Sequence, residues 1–310
     1  VEKINIGMIG LDTSHVVSFT KLLHDPKEDY YVKGGRIITA FPGGSPDLPL
    51  SRNRLETFTK EIEETYQVNI VDSLQTVVEN SDAILLESVD GGLHLKQLKE
   101  IVSYQKPIFI DKPFSLSSQD AEEMIALASK NGTPIMSTSA LRFAVELQSV
   151  LKENQGQLII GADCFGPMHI EVNPPGLFWY GIHTIEMLYT IMGIGVNEVT
   201  TVSNKDYDVV TASWRDGRFG SVRGNRVGNE KFGAIIHYEN KSEFVDIKTE
   251  GKPYYASLLE EIIRFFRKGT SIVPLTETLE IIYFIEAVNK SRDTRSPVKL
   301  EKRGGLPPRI

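Results

Sequence analysis

The stretch IGMIGLDTSHVVSF, residues 6–19, decides how the rest of the chain is read. It begins as a short apolar strand and continues as a helix with Val16, Phe19, Leu22 and Leu23 on one side. Gly10 opens the turn between them, and Asp12, Thr13, Ser14 and His15 crowd it. A strand that turns sharply into a helix presents unpaired backbone amides at the helix start, and such a start attracts anions.

Outward from this turn, strand patterns alternate with helical ones. Strands are expected at residues 3–9, 36–41, 68–71, 82–87, 107–110 and 134–137, and helices at 15–24, 52–66, 74–78, 93–104 and 118–131. PGGSPDLPL, residues 42–50, reads as a loop. Strands separated by helices argue for a parallel sheet covered on both faces, with ligands beyond the carboxyl ends of the strands. A helix at 142–153 leads out of this domain. Strands then crowd together at 157–165, 199–203, 209–214, 219–224, 234–238 and 243–248, with helices at 183–192, 255–267 and 277–291. Asp216-Gly217 marks a hairpin. The fold class is α/β: a doubly wound parallel sheet over residues 1–138, then an α+β domain with a largely antiparallel sheet over 139–310.

A chain of 310 residues suits two domains. Hydrophobic residues make up 41% and charged ones 24%, an ordinary globular balance. No apolar run approaches the roughly 18–20 residues needed to cross a bilayer. A net charge of -7 without a long Lys/Arg run argues against a general nucleic-acid binder. Cys164 is the single cysteine, so no disulfide closes within the chain. With no export signal read at Val1, a cytoplasmic protein is expected.

Three features occur in order: the opening turn, Asp111-Lys112-Pro113 after a strand, and Gly181-x-His183 at a helix start. Together with Arg142-Phe143 and the closing helix near 285–291, they resemble the Gfo/Idh/MocA family over nearly the whole chain. These are relatives of glucose–fructose oxidoreductase and inositol dehydrogenase. The resemblance implies an N-terminal Rossmann-type domain binding NAD or NADP and a C-terminal substrate-binding sheet domain. It implies a dehydrogenase or reductase moving a hydride to or from a carbinol carbon of a sugar, polyol or related polyhydroxylated compound. Pairing into a homo-oligomer through the second sheet is also implied.

Lys112 stands where the family carries its lysine. Hydride transfer from a carbinol carbon requires moving a proton from its oxygen, and an ammonium group can exchange that proton. On spacing alone, Lys112 reads equally as a solvated lysine of a strand-to-helix loop. Asp111 replaces the family's glutamate, keeping the charge one methylene shorter near the cofactor. FWYGIHTIEM, residues 178–187, carries His183 as a partner for the reacting hydroxyl and Glu186 as the second acid. Trp179 takes the place of the first acid and offers an aromatic face to a sugar ring. Arg142, Asn173 and Tyr180 are candidates for binding hydroxyl or carboxylate groups, or are structural hydrogen bonders.

Set against G-x-G-x-x-G, the opening turn keeps only Gly10; Asp12 and His15 take the other two glycine places. An ionised Asp12 about 4 Å from a phosphate would be repelled by roughly 4 kcal/mol. Two readings follow. In one, Asp12, Thr13 or Ser14 caps the helix and fills the anion site with the protein's own charge. In the other, Asp12 points away, the Thr13 and Ser14 hydroxyls donate to phosphate, and His15 adds a hydrogen bond or partial charge. After the second strand no acid is placed to grip ribose hydroxyls; Arg52 and Arg54 follow, so a 2'-phosphate is tolerable. The stretch from Ser88 to His94 sits where the family has Thr-Pro-Asn-x-x-His; only His94 aligns, and it either caps its helix or lines the cofactor cleft.

Two rivals come from other classes. One is a ligand sensor that kept the fold and lost the cofactor. The other is a metal-dependent hydrolytic enzyme built on some of the six histidines and their acidic neighbours. No close-spaced ligand pair such as H-x-H supports it, so no metal is expected.

Overall fold

The computed structural model describes residues 3–170 and 176–300. In chain order the elements are β1 (Ile4–Ile9), α1 (His15–His24), β2 (Gly35–Phe41), α2 (Pro49–Tyr66), β3 (Asn69–Ile70), α3 (Leu74–Glu79), β4 (Ala83–Leu86), α4 (His94–Ile101), β5 (Ile108–Ile110), α5 (Ser118–Asn131) and β6 (Ile135–Met136). There follow α6 (Val145–Glu153), β7 (Ile159–Pro167), α7 (Gly181–Met192), β8 (Val196–Ser203), β9 (Tyr207–Trp214), β10 (Phe219–Asn225), β11 (Gly233–Tyr238), β12 (Ser242–Asp246), α8 (Tyr254–Lys268), α9 (Leu275–Thr294) and β13 (Val298–Lys299). Two compact units result: Val1–Thr138 with Lys252–Val273, and Ser139–Gly251 with Pro274–Ile310.

The first unit holds a sheet in the order β3-β2-β1-β4-β5-β6, parallel throughout. Its central strands are apolar on both faces: every residue of β4 and β5 is buried. That is the pattern of a sheet covered by helices on both sides. The order reverses between β1 and β4, and the crevice outside their carboxyl ends is the natural ligand position. α8 belongs to this unit and packs on α1, burying Leu258, Leu259, Ile262, Ile263, Phe265 and Phe266. The sequence reading places that helix in the second domain, because periodicity reports a buried face and not what covers it.

The second unit is a seven-stranded sheet, β12-β11-β7-β10-β9-β8-β13. Its pairs are antiparallel except β7 with β10. α7 packs on β7 and β10, and α9 on β8. The strands alternate as one-sided sheets do. Val210, Ala212 and Trp214 of β9 are buried, whereas Val209 and Thr211, on the other face, are exposed. Gly217, at φ +91°, makes the expected hairpin between β9 and β10.

Differences from expectation are local. α2 begins at Pro49, inside the segment read as loop; proline is well placed in a first helical turn. The helix expected at 142–153 is a 3-10 turn, Ala140–Phe143, followed by α6. The two-residue β13 is too short for periodicity to reveal. No helix among the described residues is long and apolar enough to cross a membrane.

His24, at the end of α1, accepts a hydrogen bond from the Ile37 amide of β2 at 3.1 Å. Burial, aided by Arg36, pushes its pKa down to about 4. Because the folded value lies below the unfolded one, this contact supports the fold fully above the unfolded pKa. The support is lost as pH falls from the ordinary imidazole range toward 4. His24→Gln keeps an acceptor that does not titrate. It should melt close to the wild type at neutral pH and above it near the acid end of this window, measured by circular dichroism.

Candidate functional site

Gly10 ends β1 at φ +85°, and a Cβ there would lie 2.4 Å from the Ser88 amide nitrogen. Only glycine allows both the left-handed backbone and this close passage under the exit of β4. The turn is pinned by amide bonds from Gly10 to Phe41 and from Leu11 to Pro42, at 3.0 and 2.8 Å.

Asp12 then turns inward. Its side chain is fully buried; Oδ1 accepts from the Val89 amide at 2.9 Å and Oδ2 from Ser51 Oγ at 2.6 Å. Ser51 Oγ also accepts from the Ser45 amide, and Ser45 Oγ donates to Asp90. Burial raises the Asp12 pKa against the opposing pull of the Ser51 and Val89 hydrogen bonds. The reading in which this carboxylate caps α1 is therefore corrected: both oxygens are taken by the protein interior. At the start of α1, Thr13 is buried, Ser14 is exposed, and the Ser14 side chain makes no capping bond.

Ser88 and His94 are likewise engaged within the protein. Ser88 Oγ accepts from Gln97 Nε2 at 2.8 Å. The fully buried His94 places its two ring nitrogens 2.8 Å from the Ser88 carbonyl and 3.1 Å from the Phe114 carbonyl. They brace the exit of β4 against the loop after β5. Beyond the end of β2 lies a cavity of about 660 Å³ lined by Pro42, Gly43, Ser45, Arg52, Leu55 and Glu56, among others. That volume suits a cofactor-sized ligand. Glu63 and Glu64 also line it, and Arg52 Nη1 is held by the Pro46 carbonyl at 3.0 Å.

At the ends of β1, β4 and β5 the fold brings together His15, Glu87 and Asp111. His15 Nδ1 lies 3.2 Å from Asp111 Oδ1 and 3.6 Å from Glu87 Oε2. Burial lowers the His15 pKa, but the Asp111 and Glu87 carboxylates outweigh it and carry it to about 10. Burial, then the neighbouring Asp111 charge, pushes Glu87 up to about 7. Asp111 is held below the usual carboxylate range, because His15 and Lys112 overcome the upward push of burial. Lys112, half-buried beside them, follows β5 and precedes a cis bond to Pro113. Glu87 was not singled out in the sequence; the signal was a carboxylate closing an otherwise apolar strand, DAILLE.

In the second unit, His183 sits in the first turn of α7, its Nδ1 2.7 Å from Ser139 Oγ. The Tyr180 ring lies edge-on to His183 and to His169 and stacks on Phe232. Burial, aided by Glu230, raises the Tyr180 pKa. Arg142 and Glu186, expected at substrate, are buried in one network. Arg142 donates to Glu186 Oε2 from Nε at 3.2 Å and Nη2 at 2.8 Å, and it also pairs with Glu277. Glu186 Oε1 accepts from the Ser139 amide at 3.1 Å. Trp179 is half-buried just before α7; Asn173 lies outside the described residues. Ser139 and Glu277 were missed in the sequence, since Arg142 reaches Glu277 across 135 residues and no local pattern marks the pair.

Residues 50–139 match the family model GFO_IDH_MocA, an oxidoreductase family with an NAD-binding Rossmann fold. Comparison with curated proteins returns no match. Among solved structures, the chain is similar to a probable dehydrogenase from Thermotoga maritima, at 19% identity and TM-score 0.76, over 96% of this chain and 99% of that one. It is similar to scyllo-inositol dehydrogenase from Lactobacillus casei, solved with NAD(H) and scyllo-inositol, at 12% identity and TM-score 0.77, over 96% and 99%. It is also similar to an Agrobacterium radiobacter oxidoreductase solved with NAD+, L-tartaric acid and magnesium, at 15% identity and TM-score 0.74, over 96% and 98%. At these identities the likeness is one of fold.

Two substitutions test the buried charges. Asp12→Ala leaves the Val89 amide and Ser51 hydroxyl without their acceptor and should destabilise the protein by about 1–3 kcal/mol. Arg142→Met strands two carboxylates and should remove about 3–5 kcal/mol. Urea denaturation followed by tryptophan fluorescence measures both.

Proposed function

We propose, from the match of residues 50–139 to the Gfo/Idh/MocA oxidoreductase family model, that the chain is a nicotinamide-dependent oxidoreductase acting on a polyhydroxylated compound. The inward turn of Asp12 carries this reading. It removes the repulsion of roughly 4 kcal/mol that an outward carboxylate would exert on a diphosphate. Gly10, Thr13 and Ser14 would hold the diphosphate at the uncapped start of α1. The cavity past β2 would take the adenosine. With Glu56, Glu63 and Glu64 around it and Arg52 tied to Pro46, it favours ribose hydroxyls, hence NAD, over a 2'-phosphate.

A bound nicotinamide supplies the hydride acceptor or donor. Lys112 exchanges a proton with the substrate oxygen, the role the family resemblance gives it. The family resemblance gives His183 a hydrogen bond to a substrate hydroxyl. The Ser139 hydroxyl fixes its ring, and Glu186 holds the Ser139 amide in place. Trp179 and Tyr180 offer aromatic faces suited to the apolar side of a sugar or polyol. The sheet face turned from α7 and α9 exposes Ile160, Val202, Phe219 and Phe244. An apolar face of this kind is suited to pairing with a second copy of the chain.

Fluorescence titration with NADH and NADPH tests the reading: wild type should bind NADH, and absence of binding to either would overturn it. Gly10→Ala should weaken binding by at least about tenfold, given the strain of roughly 1–3 kcal/mol at a left-handed position. Once a substrate is in hand, Lys112→Ala should lower kcat by about 100- to 10,000-fold with nucleotide affinity kept. Light scattering should show an oligomer in wild type and a smaller species for Phe219→Asp.

A further inference from the structure

We propose that His15, Glu87 and Asp111 form a site for one divalent transition-metal ion, of the zinc or manganese class, at the carboxyl ends of β1, β4 and β5. The site goes beyond the nicotinamide reading and requires nothing from it.

Geometry is the first support. One ligand atom from each residue lies within 4.8 Å of the others. The two separations to His15 Nδ1 are 3.2 and 3.6 Å. A tetrahedral ion with bonds of about 2.0–2.2 Å sets its ligand atoms roughly 3.3–3.6 Å apart, so such an ion is accommodated with small side-chain adjustments.

Unmet bonding is the second. Glu87 is fully buried and Asp111 is 1% exposed, yet none of their four carboxylate oxygens receives a well-directed hydrogen bond, although the charges of His15 and Lys112 lie beside them. His15 Nδ1 has none either, despite its distance of 3.2 Å from Asp111. Without an ion the protonated imidazole balances the two carboxylates; a bound cation would take that place and release the proton. Buried carboxylates are normally saturated with donors. A cation between them supplies the missing bonds at once.

The donor set indicates the ion. One imidazole nitrogen with two carboxylate oxygens suits zinc, manganese or iron(II), whereas calcium takes six to eight oxygens. The His15 ring is stacked on Phe19, with centroids 4.9 Å apart, which fixes its orientation. Three protein ligands leave a coordination position for water or a substrate oxygen, the form of a catalytic rather than a structural metal site.

The test uses the full chain, stripped with chelator and free of nucleotide. Zinc and manganese are titrated in by calorimetry, with metal content confirmed by mass spectrometry after desalting. Binding of one equivalent is expected, weakened at least about 100-fold by Glu87→Gln, a loss no smaller than that from removing an outer partner of a metal ligand. His237→Gln, at an exposed histidine elsewhere, should leave it unchanged. No binding, or binding that survives Glu87→Gln, overturns the proposal. Should Glu87→Gln not fold, cobalt(II) absorption of the wild type decides. Intense visible bands of a four- or five-coordinate ion support the site, and their absence overturns it. NADH titration of the same stripped protein is read separately, so failure of the metal site and failure of the nicotinamide reading are distinguishable.

Discussion

The Asp12 carboxylate is the constraint around which the first unit is arranged. It joins the exit of β1 to the exit of β4 through the Val89 amide and to α2 through Ser51. A buried carboxylate needs donors, and these two are supplied from segments far apart in the chain. Because the charge is used inside, the start of α1 keeps its outward amides uncapped. Because β1 and β4 are drawn together, Gly10 must pass against Ser88 with no side chain. A turn that departs from the usual glycine pattern thus retains the physical property that pattern provides, a helix start open to an anion.

The second unit relies on buried charge of a different kind. Arg142 is saturated by Glu186 and Glu277, and Glu186 also gathers the Ser139 amide. That network anchors the first turn of α7, where His183 sits against Ser139 Oγ. Arg142 and Glu186 thus stand behind His183, joined to it through Ser139. Buried ion pairs of this sort contribute more to a unique geometry than to net stability, which suits a site that must hold an imidazole in one orientation.

Much of the fold was legible because local rules and packing agree. α1 and α5 follow their sequence patterns to the residue. Ser117 caps α5 by accepting from the Asp120 amide, and Gly132 ends it at φ +66°. α8 was legible as an amphipathic helix, yet its place in the first unit was not, since its sequence says nothing of its neighbour. Among candidate site residues, Lys112 and His183 were proposed from motif order. Glu87, Ser51, Ser139 and Glu277 were not, because each acts through a contact between residues distant in sequence.

The sequence by itself determined the alternation that makes a parallel sheet, the one-sided strands of the second sheet, and the glycine at the end of β1. Those follow from side-chain period and backbone conformation, which are local. Only the tertiary structure decided which way Asp12 points, and that His15, Glu87 and Asp111 meet. Direction and convergence depend on how segments 72 and 24 residues apart are brought together, and burial and the neighbouring charges then set the charges they carry.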